Sequence, residues 1–284
     1  MEHKQFSDSC GYLYIATGAK YLKEVSVSAK SLKRFTQKPI CVVTDDESFQ
    51  SEFIDQVIIM QPSTDFVTKI IGVQLTPFQR TIFLDSDTFV CSPLDQLFEA
   101  LDLFDMSMSV DNFMHSLSFF QQYNPSFEIK YKNVIPEYNT GVIVYKNTSN
   151  VQLLFADWLR IHTTMQIKAD MPSFRETFLQ HAHNIRIAPL PFEYNFHGVQ
   201  TFGFAYNEIK VIHERLGEKW NTLTSLGMSF DAMDRFAKKI NKNKGKRIIV
   251  HTWFVIPYTF SPFRLKYKLK KMLGIKKTKK AETY

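Results

Sequence analysis

Cysteine is scarce in this chain. The three that occur, Cys10, Cys41 and Cys91, are odd in number and far apart. They make neither a disulfide framework nor a zinc-ligand pattern, which points to a reducing compartment. Long apolar runs are missing as well. None approaches the roughly 20 residues that a membrane-spanning helix needs. Met1–Cys10 is polar and lacks the apolar stretch of a signal peptide, so the expected location is cytoplasmic. There is no internal repeat, and no Gly/Ser/Pro-rich linker divides the chain before about residue 262.

Acidic residues are scarce at the C-terminal end. Between Arg264 and Tyr284 there are nine Lys or Arg and a single acid, Glu282. The formal charge of +7 (35 basic against 28 acidic groups) is therefore a property of the tail. The preceding residues carry 26 basic and 27 acidic groups, a net of −1. A nucleic-acid-binding body would carry a basic stripe across the fold, so nucleic acid is excluded as a partner of the body.

The 284-residue chain suits one large domain with an appendage. Tyr12–Thr17, Pro39–Thr44, Val57–Met60 and Thr81–Leu84 are short apolar, β-rich runs. Lys20–Phe35 places Leu22, Val25, Ala29 and Leu32 at helical spacing, and Val67–Leu75 reads as a second helix. Strands separated by helices predict an α/β fold with a mostly parallel, Rossmann-like central sheet. In such sheets ligands bind beyond the carboxyl ends of the strands. Further on, Pro93–Leu101, Val151–His162 and Pro172–Ala182 read as helices, with Pro172 suited to a first turn. Met106–Val110, Gly141–Tyr145, Lys210–Ile212 and Arg247–Val250 read as strands.

The chemistry concentrates first in TIFLDSDTFV, where an apolar strand delivers Asp85 and Asp87 at its end. Residues i and i+2 of extended backbone face the same way, so the two carboxylates can share one hard divalent cation. Three readings of this spacing stand side by side. The aspartates can be merely solvated turn residues. They can be the D-x-D of a haloacid-dehalogenase-like phosphatase, although Phe89 and the three preceding strands depart from that pattern. Or they can hold a metal that grips a diphosphate. A calcium loop fails, because Phe89 and Val90 stand where a ligand and a Gly are needed.

Other segments, in order along the chain, decide among these readings. They are YIATGAKYLKEVSVSAKSL after the first strand, Lys69 in TDFVTKIIGVQL, EYNTGVIVYK, ADMPSFRE and VIHERLGEKW. Together with D-x-D they resemble the nucleotide-diphospho-sugar transferases of GT-A fold. The resemblance is to the retaining branch that contains glycogenin and the bacterial lipopolysaccharide galactosyltransferases. It runs from about Gly11 to about Trp253.

The resemblance implies a metal-dependent hexosyltransferase that uses a nucleotide-diphosphate sugar, with a UDP-sugar favoured. Thr17, Gly18, Tyr21 and Ser86 would lie at the donor. Lys69, Arg215 and Lys219 would face the sugar and diphosphate. Asn139 would offer donor and acceptor groups to sugar hydroxyls, with Gly141 allowing close approach of backbone. Asp170 matches the family's Asp-Gln segment, but the usual Gln is Met171 here, so no nucleophile is named. Asp85, Asp87 and His213 would ligate Mn²⁺ or Mg²⁺, with Asp85, Asp87, Asp170 and Asn139 as the catalytic candidates. His197 and His251 read as hydrogen-bonded, partly buried residues, with contact to substrate as the alternative reading.

On this reading residues 1–262 form the transferase domain, with a nucleotide-binding half to about residue 95 and an acceptor-side half beyond it. Residues 263–284 form a basic tail. There Leu265, Leu269, Met272 and Leu273 share one helical face with lysines elsewhere, the pattern of a segment lying on an anionic membrane surface. A peripheral membrane enzyme with a glycan or lipid-linked acceptor is the expectation. A non-catalytic membrane-surface module is the alternative from another class.

Overall fold

The computed structural model describes residues 9–63, 65–111, 135–167, 169–196, 202–205, 207–214, 228–242, 247–250 and 254–257. The tail, Arg215, Lys219, His197 and His251 lie outside them.

A seven-stranded sheet organises the molecule, in the order β3-β2-β1-β4-β7-β6-β8. Its strands are β1 (Cys10–Ile15), β2 (Ile40–Thr44), β3 (Gln56–Ile59), β4 (Arg80–Leu84), β6 (Met106–Val110), β7 (Tyr138–Lys146) and β8 (Ile187–Leu190). The pairs β3–β2, β2–β1, β1–β4 and β6–β8 are parallel, and β7 runs antiparallel between β4 and β6. The expected mostly parallel α/β sheet is therefore present. Its one reversed strand has a functional consequence: the start of β7 lies beside the end of β4.

Alternation along β1 sets up the two faces. Tyr12 and Tyr14 point into one core with Leu22, Val25, Ala29 and Leu32 of α1 (Ala19–Lys33). Leu13 points into the other. That second core takes Ile70 from α2 (Asp65–Gly72) and Val151, Leu154, Phe155 and Trp158 from α4 (Ser149–Met165). Phe174 of α5 (Asp170–His181) completes it. Strands buried on both faces have to be apolar throughout, which is why ICVVT and GVIVY read so plainly. Trp158 is wholly buried, and its indole Nε1–H donates to Asp170 O (3.2 Å) and Ser173 Oγ (3.0 Å). The core tryptophan thus also fixes the first turn of α5.

Two smaller sheets lie outside the main one. β5 (Thr88–Val90) pairs antiparallel with β10 (Val211–His213). β9 (Phe202–Ala205), β11 (Arg247–Val250) and β12 (Phe254–Pro257) form an antiparallel set in the order β12-β11-β9. A third apolar cluster joins Phe89, Phe196 and Ile212 to Met233, Phe236 and Ile240 of α6 (Phe230–Asn241).

The structure corrects several sequence expectations. β5, β8, β9, β12 and α6 have no counterpart in the pattern reading. Gly141–Tyr145 is the middle of the longer β7, which extends because it is paired on both edges. Pro93–Leu101 is helical only at α3 (Leu97–Ala100). Ahead of it the chain makes tight turns, with Leu97 N–H donating to Leu94 O. There the Asp95 carboxylate accepts from Tyr12 Oη (2.6 Å) and Thr36 Oγ1 (2.8 Å). The end of Val67–Leu75 tightens into a 3₁₀ turn at Val73–Leu75.

Trp158→Ala should destabilise the fold by about 3–5 kcal/mol. Chemical denaturation monitored by circular dichroism measures it, and a loss below about 1 kcal/mol would contradict the packing described.

Candidate active site

The carboxyl edge of the parallel strands is where the site assembles. β4 ends at Leu84, and Asp85 follows with its N–H donated to Gly141 O of β7 (2.9 Å). Thr88 N–H and Thr88 Oγ1 both donate to Asp85 O (3.1 and 2.8 Å), closing the turn that carries the second carboxylate. The chain then enters β5, where Thr88 stands opposite His213 of β10. Glu214 N–H donates to Asp87 O (3.0 Å), extending the pairing into the motif.

That pairing brings together residues 126 positions apart. His213 Nε2 lies 3.3 Å from Asp87 Oδ1 and 3.6 Å from Asp85 Oδ2. One ligand atom from each of Asp85, Asp87 and His213 falls within a mutual distance of 4.8 Å. Ligands of one first-row or alkaline-earth ion, each at about 2.0–2.6 Å, span such separations. Two carboxylate oxygens with one imidazole nitrogen make a donor set that fits Mn²⁺, and Mg²⁺ less closely.

His213 packs so tightly on β7 that a Cβ at Gly141 would collide with its ring. Glycine is required there for proximity. At Gly18 the reason is conformational: φ is +79° and nothing crowds an added Cβ. Gly18 ends the β1–α1 loop and donates its N–H to Asp45 Oδ1 (2.9 Å), beyond β2. Thr17 is half-buried and Tyr21 exposed on the same loop and first helical turn.

Lys69 of α2 is buried among the acids. Its Nζ lies 2.9 Å from Asp170 Oδ2 and 3.1 Å from Asp85, and donates to Thr140 Oγ1 (3.2 Å). Thr140 Oγ1 donates in turn to Asp170 Oδ2 (2.7 Å). Three carboxylates against one ammonium leave two negative charges when His213 is neutral, the complement of a divalent cation. The sequence expectation placed Lys69 against the donor diphosphate; in this structure its charge is engaged by Asp85 and Asp170. Ser86, also expected at the donor, gives its hydroxyl to buried Glu24 Oε2 (3.1 Å). Asn139 spends its acceptor within the protein: Oδ1 accepts from Gly141 N–H (2.9 Å) and Asn195 Nδ2 (2.8 Å).

The titrations follow the same electrostatics. Burial raises Asp85 above the usual carboxylate range, against the opposing charges of Lys69 and His213. Burial alone would lower His213, but Asp87 and then Asp85 outweigh it and hold the imidazole above its ordinary value. Burial is likewise overcome at Lys69, which Asp170 and Asp85 keep charged, and at Asp170, which Lys69 and Thr140 keep ionised.

Sequence reasoning missed several groups here. Asn195 stood unremarked in PFEYNFHG, Thr140 in EYNTG, and Glu24 on an ordinary amphipathic helix. Glu137 and Asp111 also escaped, although Glu137 opens the segment quoted for Asn139. Asp111 N–H donates to Glu137 O (2.8 Å). Burial, with Asp111 adding to it and Arg175 opposing, pushes the Glu137 carboxyl up to about 8.

Residues 80–219 match the profile of the nucleotide-diphospho-sugar transferase family. The chain is a GT-A-type glycosyltransferase. Solved structures agree on the fold of this transferase. The bifunctional glycosyltransferase WbbM superposes with a TM-score of 0.51 at 14% identity, covering 94% of this chain and 52% of that one. GlyE of Streptococcus pneumoniae gives 0.51 at 14%, covering 84% and 66%. The galactosyltransferase LgtC, solved with donor and acceptor sugar analogues, gives 0.50 at 12%, covering 81% and 95%. The transferase thus spans about half of WbbM, two thirds of GlyE and nearly all of LgtC. No curated protein sequence matches it. The phosphatase and non-catalytic readings of D-x-D fall away, because the profile covers the motif and His213 together.

Two predictions follow from this geometry. Gly141→Ala should displace the His213 ring and weaken the binding of a divalent cation by about tenfold or more, read by calorimetry; unchanged affinity would contradict the packing. For Glu137 the folded pKa lies above the unfolded value of about 4.3. Its contribution to stability is therefore complete below that value and is lost as pH rises through about 8. Glu137→Gln should melt several degrees above the wild type at about pH 9 and with little difference at about pH 4. A difference that does not grow with pH would contradict it.

Proposed function

We propose that the transferase moves a hexose from a UDP-sugar to a glycan or lipid-linked glycan acceptor, with retention of configuration. The observation that carries this reading is the cluster of Asp85, Asp87 and His213 at the carboxyl edge of the sheet, inside the family match. The donor nucleotide, the acceptor class and retention rest on the sequence resemblance to the glycogenin and lipopolysaccharide galactosyltransferase branch.

Asp85, Asp87 and His213 would hold Mn²⁺. When bound, that ion supplies Lewis-acid neutralisation of the charge that builds on the departing nucleoside diphosphate. The protein's own groups do the rest. Thr17 and Gly18 sit in the β1–α1 loop and Tyr21 in the first turn of α1, where base and ribose would rest at the strand ends. Arg215 and Lys219, two residues or more beyond His213 in sequence, bring positive charge to the diphosphate; a guanidinium binds it bidentately. Asn139, with its oxygen already committed, would give an amide N–H to a sugar hydroxyl. Asp170 and Lys69 form an ion pair beside Asp85 that keeps the floor of the site polar and ordered. With Met171 where the family has an amide, attack by the acceptor on the same face the diphosphate leaves is the economical route.

The basic tail, residues 263–284, would hold the enzyme at an anionic cytoplasmic membrane surface, since each basic group near such a leaflet contributes about 1 kcal/mol. Deleting 264–284 should release the protein from anionic vesicles at low salt while sparing transfer to a soluble acceptor analogue. Equal vesicle binding by the two forms would refute the tail's role.

Asp87→Asn tests the central reading. Across UDP-, GDP- and CMP-sugars, the wild type should show a Mn²⁺-dependent thermal shift with UDP-sugars and hydrolyse or transfer the sugar. The variant should lose both by about a hundredfold or more while melting within a few degrees of the wild type. Wild-type turnover in the variant would refute the assignment.

A further inference from the structure

The orientation of His213 can be traced, bond by bond, to a group whose donor character is beyond choice. The backbone N–H of Gly141 can only donate, and it donates to Asn139 Oδ1 (2.9 Å). That oxygen must therefore be the carbonyl end of the amide. The second group on it, Asn195, lies 2.8 Å away and must present its Nδ2. Asn195 consequently turns its carbonyl Oδ1 the other way, where it meets His213 Nδ1 at 2.9 Å. A carbonyl only accepts, so Nδ1 must carry the proton. In the neutral ring, the proton on Nδ1 leaves the lone pair on Nε2, the nitrogen that faces Asp85 and Asp87.

Local backbone holds Asn195 in place for this task. It closes the 3₁₀ turn Phe192–Tyr194, with its N–H on Phe192 O (3.1 Å). The next residue, Phe196, bridges to Ile212: Phe196 N–H donates to Val211 O, and His213 N–H donates to Phe196 O, both at 2.9 Å. The stretch carrying Asn195 is therefore laced to the strand carrying His213. Asn139, Asn195 and His213 are all buried, with exposures of 7%, 2% and 9%, so water competes poorly for these bonds.

We infer that Asn195 and Asn139 are positioning residues that act as a relay: they transmit the donor sense of the Gly141 N–H to His213, fix its Nδ1–H tautomer, and so present Nε2 as an electron-pair donor to a divalent cation. Neither asparagine touches that cation. A ligating imidazole generally donates its second nitrogen to a carboxylate, carbonyl or water, which sets tautomer and ring angle. Here the acceptor is an amide, and its orientation is decided two side chains away by the backbone of β7. A carboxylate at 195 would set its second oxygen against Asn139 Oδ1, which explains why an amide serves there.

This inference rests on the metal-site reading, but its first test needs no metal. Long-range ¹H–¹⁵N correlation on the full-length, metal-free protein, at a pH where the ring is neutral, reads the tautomer of His213 directly. The expected result is a protonated Nδ1 and an unprotonated Nε2. The reverse pattern, or the averaged pattern of a free imidazole, would overturn the relay whether or not the protein binds Mn²⁺. The second test compares substitutions at Asn139, a residue that does not contact His213 through the relay's last bond. Asn139→Asp keeps an acceptor oxygen for Gly141 N–H and Asn195 Nδ2, and should keep the tautomer. Asn139→Leu removes it, and should average the tautomer and weaken Mn²⁺ binding, measured by calorimetry, by about tenfold or more. If the Leu and Asp variants show the same tautomer, Asn139 merely fills space and the inference fails. Should the Leu variant not fold, the wild-type tautomer and its retention in Asn139→Asp still decide the matter.

Discussion

The antiparallel pairing of β5 with β10 is the constraint on which the site depends. Three residue pairs, Val90 with Val211, Phe89 with Ile212 and Thr88 with His213, are enough to bring a late segment against the D-x-D turn. The ribbon is too short to persist alone. It is held because Phe89 and Ile212 are buried in the cluster completed by α6, and because Cys91 N–H and Glu214 N–H extend the bonding at its two ends. Loss of that cluster would leave Asp85 and Asp87 on the main sheet and His213 without an anchor.

A second constraint is the concentration of like charge. Asp85, Asp87 and Asp170 occupy one partly desolvated region, which a protein tolerates only when charges are paired and hydrogen-bonded. Lys69, Thr140 and His213 supply that pairing. The arrangement is built before any donor arrives, so little reorganisation is required when positive charge enters. It also accounts for the opposite shifts of neighbouring acids. Asp170 has the ammonium at 2.9 Å and stays ionised, whereas Asp85 shares that ammonium and faces two other carboxylates.

The reversed strand β7 links the two constraints. Because it runs antiparallel to β4, its first residues rather than its last stand at the ligand edge. Asn139, Thr140 and Gly141 therefore meet Asn195, Asp170 and His213 respectively. One short segment thereby contributes an amide, a hydroxyl and a bare Cα to three different partners. In a wholly parallel sheet, the same residues would lie at the opposite edge.

Some of this was legible in the sequence, for reasons that are local. Strands buried on both faces, such as ICVVT and TIFL, had to be continuously apolar, and α1 had to show its apolar face at helical spacing. The mostly parallel character of the sheet, the position of D-x-D at a strand end and the residue types for a metal were therefore readable. α6 was readable too, from Ser229 ahead of Ala232, Met233, Phe236 and Ile240, though it went unread. The three-residue strand β5 was not, since so short a run carries no periodicity, whereas β10 was read one residue early, as Lys210–Ile212. Nor could sequence tell that Lys69 would be spent on Asp85 and Asp170, that Ser86 would turn to Glu24, or that the oxygen of Asn139 would face inward. Those outcomes depend on which donors and acceptors the fold places within hydrogen-bonding reach of one another. The sequence by itself determined the kinds of element and the kinds of ligand, because periodicity and side-chain chemistry are properties of single segments. Only the tertiary structure decided which groups remain for substrate, because a hydrogen bond satisfied inside the protein is a fact about pairs of residues far apart in the chain.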